Sequence, residues 1–289
     1  LPEIGPEIYY STRVHFDLGE FSGMKQKTSL STFASAVRQK KNVMTAVMLR
    51  DMRSRFFNHG LGFLVQSLWP LTHMVVLLIL YGLAGRETPF GSSLNIFFAT
   101  GLVPTLTFMY VSRFMSLSIL INKSMMSFPA VQTTDILFGR ALLEIFAWVI
   151  TLSLIILFLL FVGDDPMPAN LSEAVLCYLT TILLAVGVGT LAGVIVMFFE
   201  MFVTVYALLC IVFYISSGTL FVANQFPDSI SIPLSYNPIV QCVEWMRTAY
   251  FENYSDRLVN KEYVVMFGIV CLLIGLLLER TFRMQIKDG

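Results

Sequence analysis

Charge is scarce in this chain. Only 13% of its 289 residues are Asp, Glu, Lys or Arg, about half of the roughly 25% that a soluble globular domain carries. Histidine is scarcer still, with only His15, His59 and His73. None has the H-E-x-x-H spacing of a zinc site, and no Ser, His and Asp fall on a shared face, so neither metal-assisted nor triad hydrolysis is expected. The four cysteines, Cys177, Cys210, Cys242 and Cys271, show no C-x-x-C spacing; three sit in apolar runs as small packing residues. Neither a structural disulfide nor a metal site is expected. No glycine-rich, phosphate-cradling loop occurs, so any nucleotide-driven work falls to another polypeptide. The net charge is zero, which leaves no global field to recruit nucleic acid.

What the chain has instead is apolar length. Hydrophobic residues make up 56% and the mean hydropathy is +0.74. Six apolar stretches run over 60–83, 93–112, 142–162, 173–199, 202–221 and 263–278, each near the ~20 residues that cross ~30 Å of hydrocarbon as a helix. Only helices and closed barrels satisfy their backbone in lipid, and a barrel reads as alternating segments of about ten residues. The run Trp148-Val-Ile-Thr-Leu-Ser-Leu-Ile-Ile-Leu-Phe-Leu-Leu-Phe-Val162 does not alternate. The expected fold is all-α, a polytopic membrane protein with six transmembrane helices. Its first apolar run begins far past the reach of a cleavable signal.

Charge placement orients the spans. Fifteen of the nineteen Lys and Arg lie before the first span, in the second-to-third loop (Arg113, Lys123, Arg140) or in the tail. The other side receives Arg86, Arg247, Arg257 and Lys261. The positive-inside rule then puts both termini in the cytoplasm and the acidic turn Gly163-Asp-Asp-Pro166 outside.

Residues 1–29 read as an irregular cytoplasmic extension. Residues 30–59 form the approach to the membrane, with Ser31 or Thr32 as an N-cap. There Met44, Met48, Leu49, Met52 and Phe56 recur at helical spacing among basic residues, the pattern of an amphipathic interfacial helix; a plain cytoplasmic extension of the first span is the alternative. The transmembrane domain, 60–289, carries a loop at 113–141 that Pro129 interrupts and Thr133 or Thr134 restarts. Arg140 and Glu144 read as an i,i+4 pair at the mouth of the third span. Region 222–262, broken by Pro227, Pro233 and Pro238, reads as short re-entrant or interfacial helices.

Polar groups at membrane depth mark a protein- or water-lined face. Gln66, Trp69 and His73 share a stripe of the first span, and Tyr206, Cys210, Tyr214 and Ser217 one of the fifth. Aromatic faces with polar edges suit sugars, which expose C–H faces and hydroxyl rims. Ordinary packing, with His73 making one interhelical hydrogen bond, is the alternative. Gly189-Thr-Leu-Ala-Gly193 permits close helix approach, within one subunit more readily than between two. No inverted repeat or midplane carboxylate suggests a secondary carrier.

Three stretches in order between the right spans carry a family resemblance. They are Leu49-Arg-Asp-Met-Arg-Ser-Arg55 before Gly62-Phe-Leu64; Asn122-Lys-Ser-Met-Met-Ser-Phe-Pro-Ala-Val131 with Asp135 and Arg140-Ala-Leu-Leu-Glu144; and Asn237-Pro-Ile-Val240 with Glu244, Arg247 and Asn253-Tyr254. Over about residues 43–285 the chain resembles the membrane-spanning permeases of ABC-2 type polysaccharide exporters, particularly those for bacterial capsular polysaccharide. The family's Trp-x-x-x-x-Pro-like stretch is present only loosely, as Gln66-Ser-Leu-Trp-Pro70.

The resemblance implies a bacterial inner-membrane homodimer bound to two copies of a separate ATPase, which holds ATP and Mg while this chain binds no cofactor. It also implies a polysaccharide or glycolipid cargo, with periplasmic adaptor and outer-membrane export proteins as further partners. The loop around Ser124–Asp135 becomes a coupling element, with Phe128 and Pro129 as docking knob and Lys123, Ser124 and Asp135 beside it. Spans one and five line the channel with Gln66, Trp69, His73, Tyr206, Tyr214 and Ser217. Trp245, Arg247 and Tyr250 stand at a periplasmic gate, or anchor at the outer headgroup level. O-antigen, teichoic acid or drug cargo remains open, as does a non-transport scaffold.

Overall fold

The structure is a computed structural model that describes residues 29–54 and 61–288. The irregular extension expected over 1–29 lies outside the described residues except for Ser29, which is helical, and Phe56 and His59 lie outside them too. By compactness the chain divides at Gln39/Lys40. The described part of the first unit, residues 29–39, is helical, and all that follows concerns the second unit.

Every regular element among the described residues is a helix. Helix α1 (Ser29–Ser54) is followed by α2 (Leu61–Leu83), α3 (Leu94–Ile121), α4 (Thr133–Val162), α5 (Leu171–Phe198), α6 (Phe202–Ile215), α7 (Asp228–Ser235), α8 (Pro238–Tyr250) and α9 (Lys261–Asp288). Five of them, α2, α3, α4, α5 and α9, are long and apolar enough to cross a membrane. Helix α6 is not: its 14 residues reach about 21 Å at about 1.5 Å per residue. The expected span over 202–221 breaks because Ser216 and Ser217 turn their hydroxyls onto carbonyls of the preceding turn and Gly218 adopts φ +81°, a left-handed geometry that ends a helix.

Two other boundaries move in the opposite sense. Helix α3 continues to Ile121, nine residues past the expected end, and α4 begins nine residues early at Thr133. The loop expected over 113–141 therefore shrinks to Asn122–Gln132. Ser112, Ser116 and Ser118 stay inside α3 by donating their hydroxyls to carbonyls three residues back, so a stretch that looks too polar for lipid is satisfied within its own helix. The restart is capped at Gln132, whose backbone N–H donates to Asp135 Oδ2 at 3.0 Å; Thr133 is already helical. Helix α1 runs at Ser29, ahead of Ser31 and Thr32. From Lys40 on, its buried face centres on Val47 and Asp51, while Leu49 is exposed; Val47 lies against Gly139 at the start of α4.

Helix α3 is apolar nearly all round and is correspondingly buried, as such helices must be. It packs against α4, α5 and α8, and α5 packs in turn against α9. Small residues set these distances. A Cβ at Gly189 would stand 2.8 Å from Met115 Cβ and 2.9 Å from Ser112 Cα of α3, and one at Gly193 would stand 3.1 Å from the Met115 carbonyl. The Gly189–Gly193 step thus serves packing inside the chain. Gly187 faces Gly268, and Gly275 faces Leu191, along the α5–α9 contact.

Gly189→Val is expected to force α3 from α5 and lower stability by about 1–3 kcal/mol, the range for overpacking. A thermal melt in detergent checks this; an unchanged midpoint would show that the helices have room to part.

Candidate functional site

At one end of the bundle, polar side chains bind α1, α2, α4 and the Asn122–Gln132 loop together. Arg140, at 3% exposure, donates from Nη1 to Asp51 Oδ2 at 3.0 Å and forms an ion pair through Nη2 with Glu144 Oε1 at 2.7 Å. Gln66 Nε2 of α2 donates to Glu144 Oε2 at 3.1 Å. Asn122 donates to Asp51 and accepts from Arg50, whose second nitrogen reaches Ser124. The pair expected at the mouth of α4 is therefore the centre of a buried network. One guanidinium stands between two carboxylates, which also accept from Asn122 and Gln66, while Arg140 Nε is buried without a hydrogen-bond partner; charges buried in this way must be paired to be tolerated.

The loop itself is a 3₁₀ turn, Lys123–Ser127, closed at Phe128, whose backbone N–H donates to the Met125 carbonyl, just ahead of Pro129. Met126 and Val131 fold inward, and Phe128 between them is 62% exposed. Lys123, Ser124 and Pro129 are exposed beside it. Asp135 is not at that surface: at 2% exposure it accepts from Lys40 Nζ at 2.8 Å and caps α4, so it holds the loop from within.

The six residues expected along a channel divide. His73 Nε2 and Tyr214 Oη lie 2.8 Å apart, joining α2 to α6 with their rings edge to face. Trp69 is 63% exposed and shares a cavity of about 270 Å³ with His73, Thr72 and Val76. The other three turn elsewhere. Gln66 is committed to Glu144, Tyr206 is buried with Cys210 against Ala192, and Ser217 is buried in the turn with Thr219. Eight residues at about 100° each leave Tyr206 about 80° away from Tyr214, so one faces α5 while the other faces α2. Ser217 lies beyond the end of the helix.

At the opposite end, Trp245, Arg247 and Tyr250 do not share an outer surface. Arg247, fully buried, donates to the carbonyls of Phe221 at 2.8 Å and Thr219 at 3.3 Å. Its guanidinium sits 4.1 Å from the centroid of Phe97 and 3.6 Å from Glu244. It latches the broken segment after α6 onto α8. Glu244 also accepts from Tyr254 and Asn224; burial still raises its carboxyl above the ordinary range, against the pull of Arg247. Trp245 donates to Glu173, which Lys261 also contacts. Tyr250 borders an apolar cavity of about 410 Å³ between α3, α4, α5 and α8.

Sequence reasoning missed Lys40, Asp51 and Asn122. One signal was present: Asp51 is the single acid among the basic residues of α1, and an isolated acid beside an arginine-bearing span calls for a partner.

Arg140→Ala leaves two carboxylates buried without their cation and is expected to cost about 3–5 kcal/mol, read as a lowered thermal midpoint. Arg247→Ala is expected to fall in the same range. For Glu244 the sign is set by its raised folded-state value: its contribution is full at low pH and declines as pH rises past the ordinary carboxylate value toward the folded one. Glu244→Gln should flatten that part of the stability–pH curve; an unchanged slope would show that the carboxyl does not titrate there.

No family model matches the sequence. The chain is 30% identical over 247 residues to the polysialic acid transport protein KpsM of Escherichia coli, covering 86% of this chain and 96% of that protein. It is 25% identical over 257 residues to the capsule polysaccharide export inner-membrane protein CtrC of Neisseria meningitidis serogroup A, covering 89% and 97%. The match to the capsule polysaccharide export inner-membrane protein BexB of Haemophilus influenzae is 23% over 262 residues, with the same shares. Relatives that align over nearly their whole length, together with five helices long enough to span a bilayer, place the chain in the family of capsule polysaccharide export inner-membrane permeases.

Proposed function

We propose that this chain is the permease subunit of an ATP-driven exporter that moves a capsular polysaccharide, with a lipid at one end, from cytoplasm to periplasm. Two copies form the channel, and each engages one copy of a separate ATPase. The observation that carries this reading is the Phe128 loop: an exposed aromatic knob on a turn tied by Lys40–Asp135 and Arg50–Ser124 to the helices behind it. A knob so attached transmits a push. Closure of a partner's cleft on Phe128 would move α4 directly and α2 through Glu144–Gln66.

The proposed topology has six crossings, with α6 as the short one, and both termini in the cytoplasm. The end bearing Phe128 is then cytoplasmic, consistent with the basic residues of α1 and the tail. Trp69, His73 and Tyr214 line the sugar path. Trp245 and Arg247 support the exit end from inside, leaving Tyr250 nearest to leaving polymer or to a periplasmic partner.

The test is affinity purification of the tagged chain in gentle detergent, with mass spectrometry and an ATPase assay on the eluate. A stoichiometric P-loop ATPase is expected; a chain that emerges alone would overturn the reading. Phe128→Ala should insert and fold normally yet lose most ATPase retention. Asp135→Arg, which sets a cation against Lys40, should uncouple transport by displacing the loop.

A further inference from the structure

We propose that the apolar cavity bordered by Tyr250 is a binding site for one acyl chain of a membrane phospholipid. The inference goes beyond export and needs only that these helices span the bilayer; the choice of leaflet, the periplasmic one, rests on the proposed topology. The cavity measures about 410 Å³ and lies between α3, α4, α5 and α8, beside the connection that joins α4 to α5.

The sequence builds it from three parts. Ala99, Thr100 and Val103 give α3 a floor of small side chains. Helix α5 packs chiefly on α3 and α9, and α4 on α3 and α2, so these two consecutive helices part above that floor. The connection then bridges the gap: Gly163 ends α4 at φ +93°, and Pro166 and Pro168 stiffen the segment that follows. Asn95 donates to Asp164, and the Asn170 N–H donates to the Ala249 carbonyl. These bonds fix the connection to α3 at one end and to α8 at the other.

The occupant follows from chemistry and depth. Ile155 and Leu159 of α4 form the inner wall, whereas Leu160, Leu171 and Val175 line the cavity and stay exposed beside it. The cavity therefore opens on the outer face of the bundle, where a spanning helix meets lipid. Apolar cavities stay dry and take apolar guests, and walls without neighbours forfeit dispersion contacts. Among the lining residues Asp165 carries the single charge, and it accepts from the Met167 N–H. From Leu152 to the end of α4 at Val162 the lining reaches about 15 Å at about 1.5 Å per residue, half of the ~30 Å of hydrocarbon. A partner's spanning helix needs a groove along the whole thickness and about 10–12 Å of width. A slot of one leaflet's depth fits a lipid tail. Seated there, the tail completes the packing between α4 and α5 at the end of α4 opposite Phe128.

The test uses the complete exporter in nanodiscs made of phospholipid alone, part of which carries a photoreactive diazirine in the middle of one tail. Peptide mass spectrometry after illumination maps the label. It is expected to concentrate on the cavity residues of α4 and α5, well above the exposed Leu273 and Leu277 of α9. Ala174→Phe, which fills the cavity, should remove most of that label and spare α9; Val175→Trp, at the exposed rim, should do the same without loading the core. Tyr178, whose buried hydroxyl has no partner, separates a hydrocarbon guest from a polar one. Tyr178→Phe should leave the label unchanged, and a drop would show that the occupant bonds that hydroxyl, overturning the assignment to a tail. Label distributed by exposure alone over α4, α5 and α9 overturns the inference. So does a cavity that stays unlabelled by phospholipid but is labelled by a photoreactive glycolipid cargo. The export reading fails separately, when the chain recruits no ATPase.

Discussion

A single buried cation organises one end of this molecule. Arg140 neutralises Asp51 from α1 and Glu144 from its own helix, and through them it reaches Gln66 on α2 and Asn122 at the foot of α3. Removing charge from water is expensive, and the cost is recovered only when every member of the set is paired. The helices around Arg140 meet in an arrangement that brings these partners together. An apolar seam would permit sliding, because lipid tails are as apolar as the helices and no hydrophobic force selects a register there.

In the proposed coupling role, the same constraint would let an exposed turn act mechanically. Phe128 projects from a loop too short to have its own core, yet Met126 and Val131 pack inward on either side. Lys40–Asp135 and Arg50–Ser124 tie its two ends. Away from this end the bundle relies on backbone proximity instead, with Gly187, Gly189 and Gly275 allowing α3, α5 and α9 to touch. Stiff contacts of this kind transmit displacement over the length of a span, since packed interiors yield little.

The two ends solve the buried-charge problem differently. Arg247 spends its donors chiefly on backbone carbonyls left open where α6 stops, so it repairs a broken helix. Arg140 spends its donors on carboxylates. One residue type therefore serves as latch at one end and as hub at the other, according to which acceptors the fold brings near.

The helical class was legible in the sequence because lipid allows few backbone solutions and long apolar runs announce them, and the family because three stretches, around Leu49–Arg55, Asn122–Glu144 and Asn237–Tyr254, carry its resemblance in order. The interruption at Pro129 was legible for a related reason, since proline breaks a helix, while Phe128 as the projecting residue came from the family resemblance. The ends of α3, α4 and α6 were not: serines that back-bond within a helix and serines that help end one look alike until their neighbours are known. Nor were the partners of Arg140 and Arg247, which lie far away along the chain. Composition and order along the chain thus determined the all-helical membrane character and the family. Which charges are buried and which aromatics share a cavity were decided only by tertiary packing, because each depends on side chains contributed by other helices.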